Sequence, residues 1–154
     1  MNNDSKKVVI YARTKINSNG GLTIDEQLSK CYQYCKDNNF IVVGEYIDVT
    51  NNVNIEDRQN FMKMINDSNN KEFEGVIVYR LDRFSRSRYD NAIYKSKLKK
   101  NGVKVYSTME SFSDDASGII AESFFEGIIE YCSKSEDLFN KILEKREANL
   151  NNEQ

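Results

Sequence analysis

Four short apolar runs recur along the 154-residue chain: Lys7 to Arg13, Phe40 to Asp48, Gly75 to Tyr79 and Val103 to Met109. Each is rich in β-branched residues, as buried strands are, and each is followed by a segment with helical spacing of its apolar residues. Strand-helix units of roughly 30 residues are built for right-handed crossovers between parallel strands. The expected fold is therefore α/β, with a largely parallel sheet of four to five strands flanked by helices.

Local signals place the helices. Thr23-Ile24-Asp25-Glu26 has the spacing of a capping box, so a helix should begin at Thr23 or one residue later and run to about Asn38. Its apolar stripe is expected to be Ile24, Leu28, Cys31, Tyr32 and Cys35. A second helix is expected over Ile55 to Asn66, with Arg58 early in it, and a third over Tyr89 to Lys100. The polar stretches Thr14 to Gly21, Val49 to Asn54 and Asp67 to Lys71 read as loops. From Ala116 to Asn149 apolar residues recur at threes and fours with no proline, which gives one long helix or two in tandem. Since globular helices average about 11 residues, its far half, Leu138 to Leu143, needs a partner, and a second copy of the chain is the simplest one.

Composition removes several chemistries. The chain has 22 basic and 24 acidic residues, so any nucleic-acid contact must come from a local patch. It has no histidine, which excludes Ser-His-Asp and Cys-His arrangements and every His-ligated metal. Cys31, Cys35 and Cys132 make no metal-ligand pattern and are expected to be reduced, half-buried residues of a cytoplasmic protein. No apolar run approaches the ~18 residues of a membrane span, and no bound cofactor or metal is expected.

Parallel strands bring their carboxyl ends to one edge of the sheet, where ligands bind. That edge should collect Arg13 and Lys15 after the first strand, Asp48 at the end of the second, and Asp82, Arg83 and Arg86 after the third. Gln27 and Arg58, in the first turns of adjoining helices, should join them. Arginines hold planar oxyanions in pairs of hydrogen bonds, so the cluster reads as a phosphodiester site working without metal. Arg88, Lys95 and Lys99 would extend it to neighbouring phosphates.

Tyr11-Ala12-Arg13, Ile24-Asp25-Glu26-Gln27, Asp48 followed by Arg58, and above all Leu81-Asp82-Arg83-Phe84-Ser85-Arg86 resemble the amino-terminal catalytic domain of the resolvase/invertase family of serine site-specific recombinases. The likeness covers about residues 7 to 135. It implies a flavodoxin-like sheet, a dimer built through the long helix (a tetramer in a synapse), and DNA cleavage through a phosphoserine link with no cofactor. It also implies that Arg13, Gln27, Asp48, Arg58, Asp82, Arg83 and Arg86 stand where the family keeps its catalytic and phosphate-binding residues.

One position departs from the family. Its serine lies two residues after the Tyr-x-Arg arginine, and that position is Lys15 here. Thr14 is one residue early and Ser18 three late, and an ammonium is no nucleophile, although it suits phosphate binding. Asn51-Asn52 and Cys132-Ser133 also replace pairs common in the family. The expectation is a domain over residues 1–135, with a long helix over 116–149 and no carboxyl-terminal DNA-binding domain. It is expected to bind DNA but to be impaired in cleavage, acting as a homodimer or as the partner of an active recombinase. A nucleotide- or flavin-binding flavodoxin-like protein is the remaining alternative, for which only Gly20-Gly21 speaks.

Overall fold

The computed structural model describes residues 4–16, 21–51 and 54–152. The apolar runs form β1 (Lys7–Thr14), β2 (Ile41–Val49), β3 (Gly75–Val78) and β4 (Lys104–Ser107). They make one sheet in the order β2-β1-β3-β4, with every neighbouring pair parallel. The helices are α1 (Ile24–Asp37), α2 (Gln59–Asp67), α3 (Leu81–Phe84), α4 (Arg88–Lys100) and α5 (Ala116–Asn152). Two compact units result: residues 1–85 with 89–111, which hold the sheet, and residues 86–88 with 112–154, which hold α5.

Side-chain alternation along the strands divides the first unit's core into two layers. Val8, Ile10 and Ile77 face Cys31 and Cys35 of α1, while Val9, Tyr11, Val76 and Val78 face the layer of Phe61, Met64, Phe84, Tyr94 and Leu98. At the centre of the second layer the Phe61 ring meets Tyr11, Phe84 and Tyr94 edge-on, with centroids 5.2, 5.1 and 5.4 Å away. Such contacts add to simple burial, so this one side chain joins α2 to β1, α3 and α4.

α1 starts as expected, with Thr23 and Glu26 forming a complete capping box. Its buried face differs from the apolar stripe, being Gln27, Cys31 and Cys35. Tyr32 stands in solvent and donates to Glu45 at 2.7 Å. A polar side chain occupies the core position because it has a specific backbone partner there. The cysteines also differ from the half-buried expectation. Cys31 and Cys35 are fully buried, and burial pushes their thiols up to about 12 and 11, while Cys132 is exposed.

The helix expected over Ile55 to Asn66 is broken. Ile55–Asp57 is a 3-10 turn, Arg58 is extended at φ −85° and ψ 94°, and α2 starts only at Gln59. The expected loop after it contains a further 3-10 turn, Ser68–Asn70. α5 is one continuous helix.

Asp115 caps α5, accepting from the Ser113 and Ser117 hydroxyls at 2.6 and 2.7 Å and from the Gly118 amide at 2.9 Å. Gly118 is required there, because an added Cβ would lie 1.8 Å from the Ser113 carbonyl oxygen. Within its own unit the helix leaves Ile119, Ile120, Phe124 and Tyr131 between 62% and 73% exposed.

Phe61→Ala should destabilise the first unit by about 3–5 kcal/mol in urea unfolding, the usual loss for a buried phenylalanine. The cap makes a pH prediction. Those hydroxyls, led by Ser113, lower the Asp115 carboxyl from 3.8 to about 2, so its contribution is complete above the ordinary value and lost as pH falls through about 2. Circular dichroism should show wild type more helical than Asp115→Asn at neutral pH, with the difference vanishing below about pH 2.

Candidate functional site

Arg13 and Asp48 are register partners at the carboxyl ends of β1 and β2, each 5% exposed. The Asp48 carboxylate accepts three hydrogen bonds. They come from the Tyr11 hydroxyl at 2.8 Å and from the Asn60 and Phe61 amides at 3.0 and 2.9 Å. Those amides belong to the first turn of α2, so a carboxylate from a neighbouring strand caps that helix and lies against the positive end of its dipole. Arg58, the residue in the cap position, makes no side-chain cap bond of its own. Burial raises the Tyr11 phenol far above its ordinary range, which keeps it a hydrogen-bond donor to Asp48.

A guanidinium has no acceptor to offer the helix amides, and the Arg58 side chain donates away from them. Its Nη1 donates to the Phe84 carbonyl at 2.7 Å, its guanidinium carbon lies 6.0 Å from the Phe61 ring centroid, and it is 4% exposed. Its buried Nε finds no hydrogen-bond partner among the described residues. A buried guanidinium with an unused donor is suited to an oxyanion. Gln27, fully buried, donates from Nε2 to the carbonyls of Arg13 at 3.1 Å and Leu22 at 3.2 Å, which fixes the end of β1. Its Oε1 also lacks a partner among the described residues.

The stretch after β3 is the one-turn helix α3. Asp82 is held by Arg80 through two hydrogen bonds, of 3.2 and 2.9 Å. Arg83 lies against Gly21, whose left-handed φ of +78° brings the chain so close that an added Cβ would sit 3.7 Å from Nη2. The α3 backbone is tied at its end as well, since the Asn91 side chain donates to the Ser85 carbonyl at 3.3 Å.

Lys15 follows the last residue of β1, Thr14, and is exposed. Beside it the Ile16 amide donates to Asn51 Oδ1 at 2.9 Å, tying the loop after β1 to the loop after β2. Ser18 lies outside the described residues. Arg86 and Arg88 fall in the second unit, where Arg88 Nη2 donates to Ser123 of α5 at 3.1 Å. On α4, Lys95 is half-buried and Lys99 exposed.

Of the expected set, the first unit thus holds Arg13, Lys15, Gln27, Asp48, Arg58, Asp82, Arg83, Lys95 and Lys99. Tyr11, Asn51, Asn60 and Arg80 serve the same edge but were not among the expected site residues. Tyr11 carried a signal as part of Tyr-x-Arg, and Asn51 as a departure from a family pair; Asn60 and Arg80 carried none. Among the described residues no group of His, Cys, Asp and Glu is arranged to hold a metal, and no helix is long and apolar enough to cross a membrane.

The family model described as the N-terminal domain of resolvase matches residues 8–148. The chain belongs to the resolvase family. Among solved structures it is similar to the N-terminal catalytic domain of TP901-1 integrase, at 32% identity and a TM-score of 0.65, over 87% of this chain and 98% of that one. The same fold occurs in a resolvase family site-specific recombinase from Streptococcus pneumoniae, at 24% identity and a TM-score of 0.64, over 92% of this chain and 99% of that one. It occurs again in the C-terminal catalytic domain of ISC1926 TnpA, an IS607-like serine recombinase, at 18% identity and a TM-score of 0.61, with coverage of 92% and 99%. A search of the curated proteins finds no match. The parallel sheet and long carboxyl-terminal helix are those of the resolvase family's catalytic domain.

Removing the Asp48 carboxylate leaves two helix amides and a phenol without their acceptor. Asp48→Ala should therefore cost about 2–4 kcal/mol in denaturant unfolding, and Tyr11→Phe about 1 kcal/mol. Because both act on one carboxylate, the double variant should lose less than the sum of the two.

Proposed function

We propose that this chain is a serine-recombinase domain that binds the DNA backbone through its arginines and is impaired in strand cleavage. The observation that carries this reading is the pairing of a buried Arg58, with an unused Nε–H, and a lysine at the position where the resemblance puts the serine. Arg13, Arg83 and Gln27 at the same edge would hold the phosphate, with Asp48 fixing Arg58 and Arg80 steadying Asp82. Arg86, Arg88, Lys95 and Lys99 would contact flanking phosphates. Lys15 is exposed and adds a positive charge without supplying a hydroxyl oxygen.

In the family's chemistry the serine Oγ bonds to phosphorus as one deoxyribose oxygen leaves it. A protonated lysine has no lone pair for that displacement, while its charge favours the bound phosphate.

The exposed apolar face of α5, with Ile120, Phe124, Ile128 and Tyr131, supports pairing with a second copy or with an active recombinase. That pairing is how a domain without its serine would act on recombination. A nucleotide-binding role is less favoured, because Thr23 and Glu26 occupy amides at the start of α1 and place a carboxylate where a phosphate would bind.

Fluorescence anisotropy should show duplex affinity falling about 10²- to 10³-fold between about 50 and 200 mM salt, as expected for four or five phosphate contacts. On a duplex cleavage substrate, wild type should give no covalent protein-DNA adduct and Lys15→Ser should give one. An adduct with the wild-type chain would overturn the cleavage-impaired reading. Absence of an adduct from both would overturn the placement of the serine at residue 15.

A further inference from the structure

The α3 turn carries Asp82 and Arg83, yet a single helical turn is intrinsically unstable because its ordering is set against very few hydrogen bonds. Arg80, in the cap position, makes no side-chain cap bond. The turn is held from outside instead. Arg58 donates to the Phe84 carbonyl, Asn91 to the Ser85 carbonyl, and at the front the Leu81 amide donates to Glu110 Oε2 at 3.2 Å.

Glu110 comes from the loop after β4, in a unit of four residues, Ser107-Thr108-Met109-Glu110. The spacing is that of a capping box, and half of one forms, with the Glu110 amide directed at Ser107 Oγ at 3.3 Å. No helix follows, and the carboxylate turns away to Leu81 instead. The Ser107 hydroxyl donates to the same carboxylate oxygen, and the Thr108 hydroxyl donates to the Tyr79 carbonyl at 2.7 Å. The loop after β4 therefore grips the chain where it leaves β3.

We infer that Glu110 is a positioning residue for the phosphate site, its carboxylate fixing the first amide of the α3 turn and so the stance of Asp82 and Arg83. The inference rests on the phosphate-binding reading above. Glu110 acts as a hydrogen-bond acceptor, so an amide oxygen at the same place should serve.

The test compares wild type, Glu110→Ala and Glu110→Gln by duplex affinity and by amide hydrogen exchange. Glu110→Ala should weaken binding about tenfold and speed Leu81 exchange at least tenfold, leaving the Asn60 and Phe61 amides unchanged. Glu110→Gln should restore both to within about threefold of wild type. Wild-type affinity in Glu110→Ala would overturn the inference. So would equal losses in the alanine and glutamine variants, which would mean that charge alone matters, or faster exchange throughout the unit, which would mean general destabilisation. A wild-type chain that binds no duplex would overturn the phosphate-binding reading and this inference together, and so is distinct from failure of Glu110 alone.

Discussion

The Asp48 carboxylate is the interaction on which the site depends. It lies at the end of an edge strand, accepts the hydroxyl of a residue on the next strand, and closes the amino end of the helix that packs against both. Charge-assisted hydrogen bonds to amides are stronger than neutral ones, and the helix dipole adds to them. Their consequence lies in Arg58. It lies two residues before the first amide that Asp48 holds, and its side chain crosses to the Phe84 carbonyl, joining the segments after β2 and β3. The carboxylate read from sequence as a catalytic group is, in this structure, the acceptor that orders the first turn of α2 beside Arg58.

A cluster of buried guanidiniums is costly to assemble unless each group has directed partners. The buried Arg58 has the Phe84 carbonyl; Arg80, whose side chain is 43% exposed, pairs with Asp82, and Gln27 fixes the main chain at Arg13. The Arg58 Nε is left without a hydrogen-bond partner among the described residues, which supports the phosphate-binding proposal. If Lys15 stands in place of the family's serine, as proposed, that arrangement is unaffected, since this exposed residue beyond the end of β1 makes none of these bonds.

Much of this was legible because it is local. β-branched runs marked the four strands, and the Thr23-Glu26 box marked the start of α1, since each depends only on neighbouring residues. Parallel strand order then put Arg13, Asp48, Asp82 and Arg83 in one unit. What could not be read depends on distant partners. Gln27 takes a core position from Tyr32 because the Arg13 carbonyl, 14 residues away in sequence, needs a donor. The expected helix breaks at Arg58, and α2 starts at Gln59, four residues later than periodicity implies, where Asp48 accepts its first-turn amides. Glu110 gives no signal at all, since its spacing from Ser107 points to a helix that never forms. Nor did the sequence show that the Arg88 guanidinium donates to Ser123, 35 residues away on α5.

The most direct test of this account is a double-mutant cycle between Asp48 and Arg58, read as duplex DNA affinity. If Asp48 acts by positioning Arg58, then Asp48→Asn should weaken binding about tenfold in the wild-type background and by less than twofold when Arg58 is already alanine. Equal losses in the two backgrounds would show that Asp48 acts on DNA independently of Arg58, and would contradict the account.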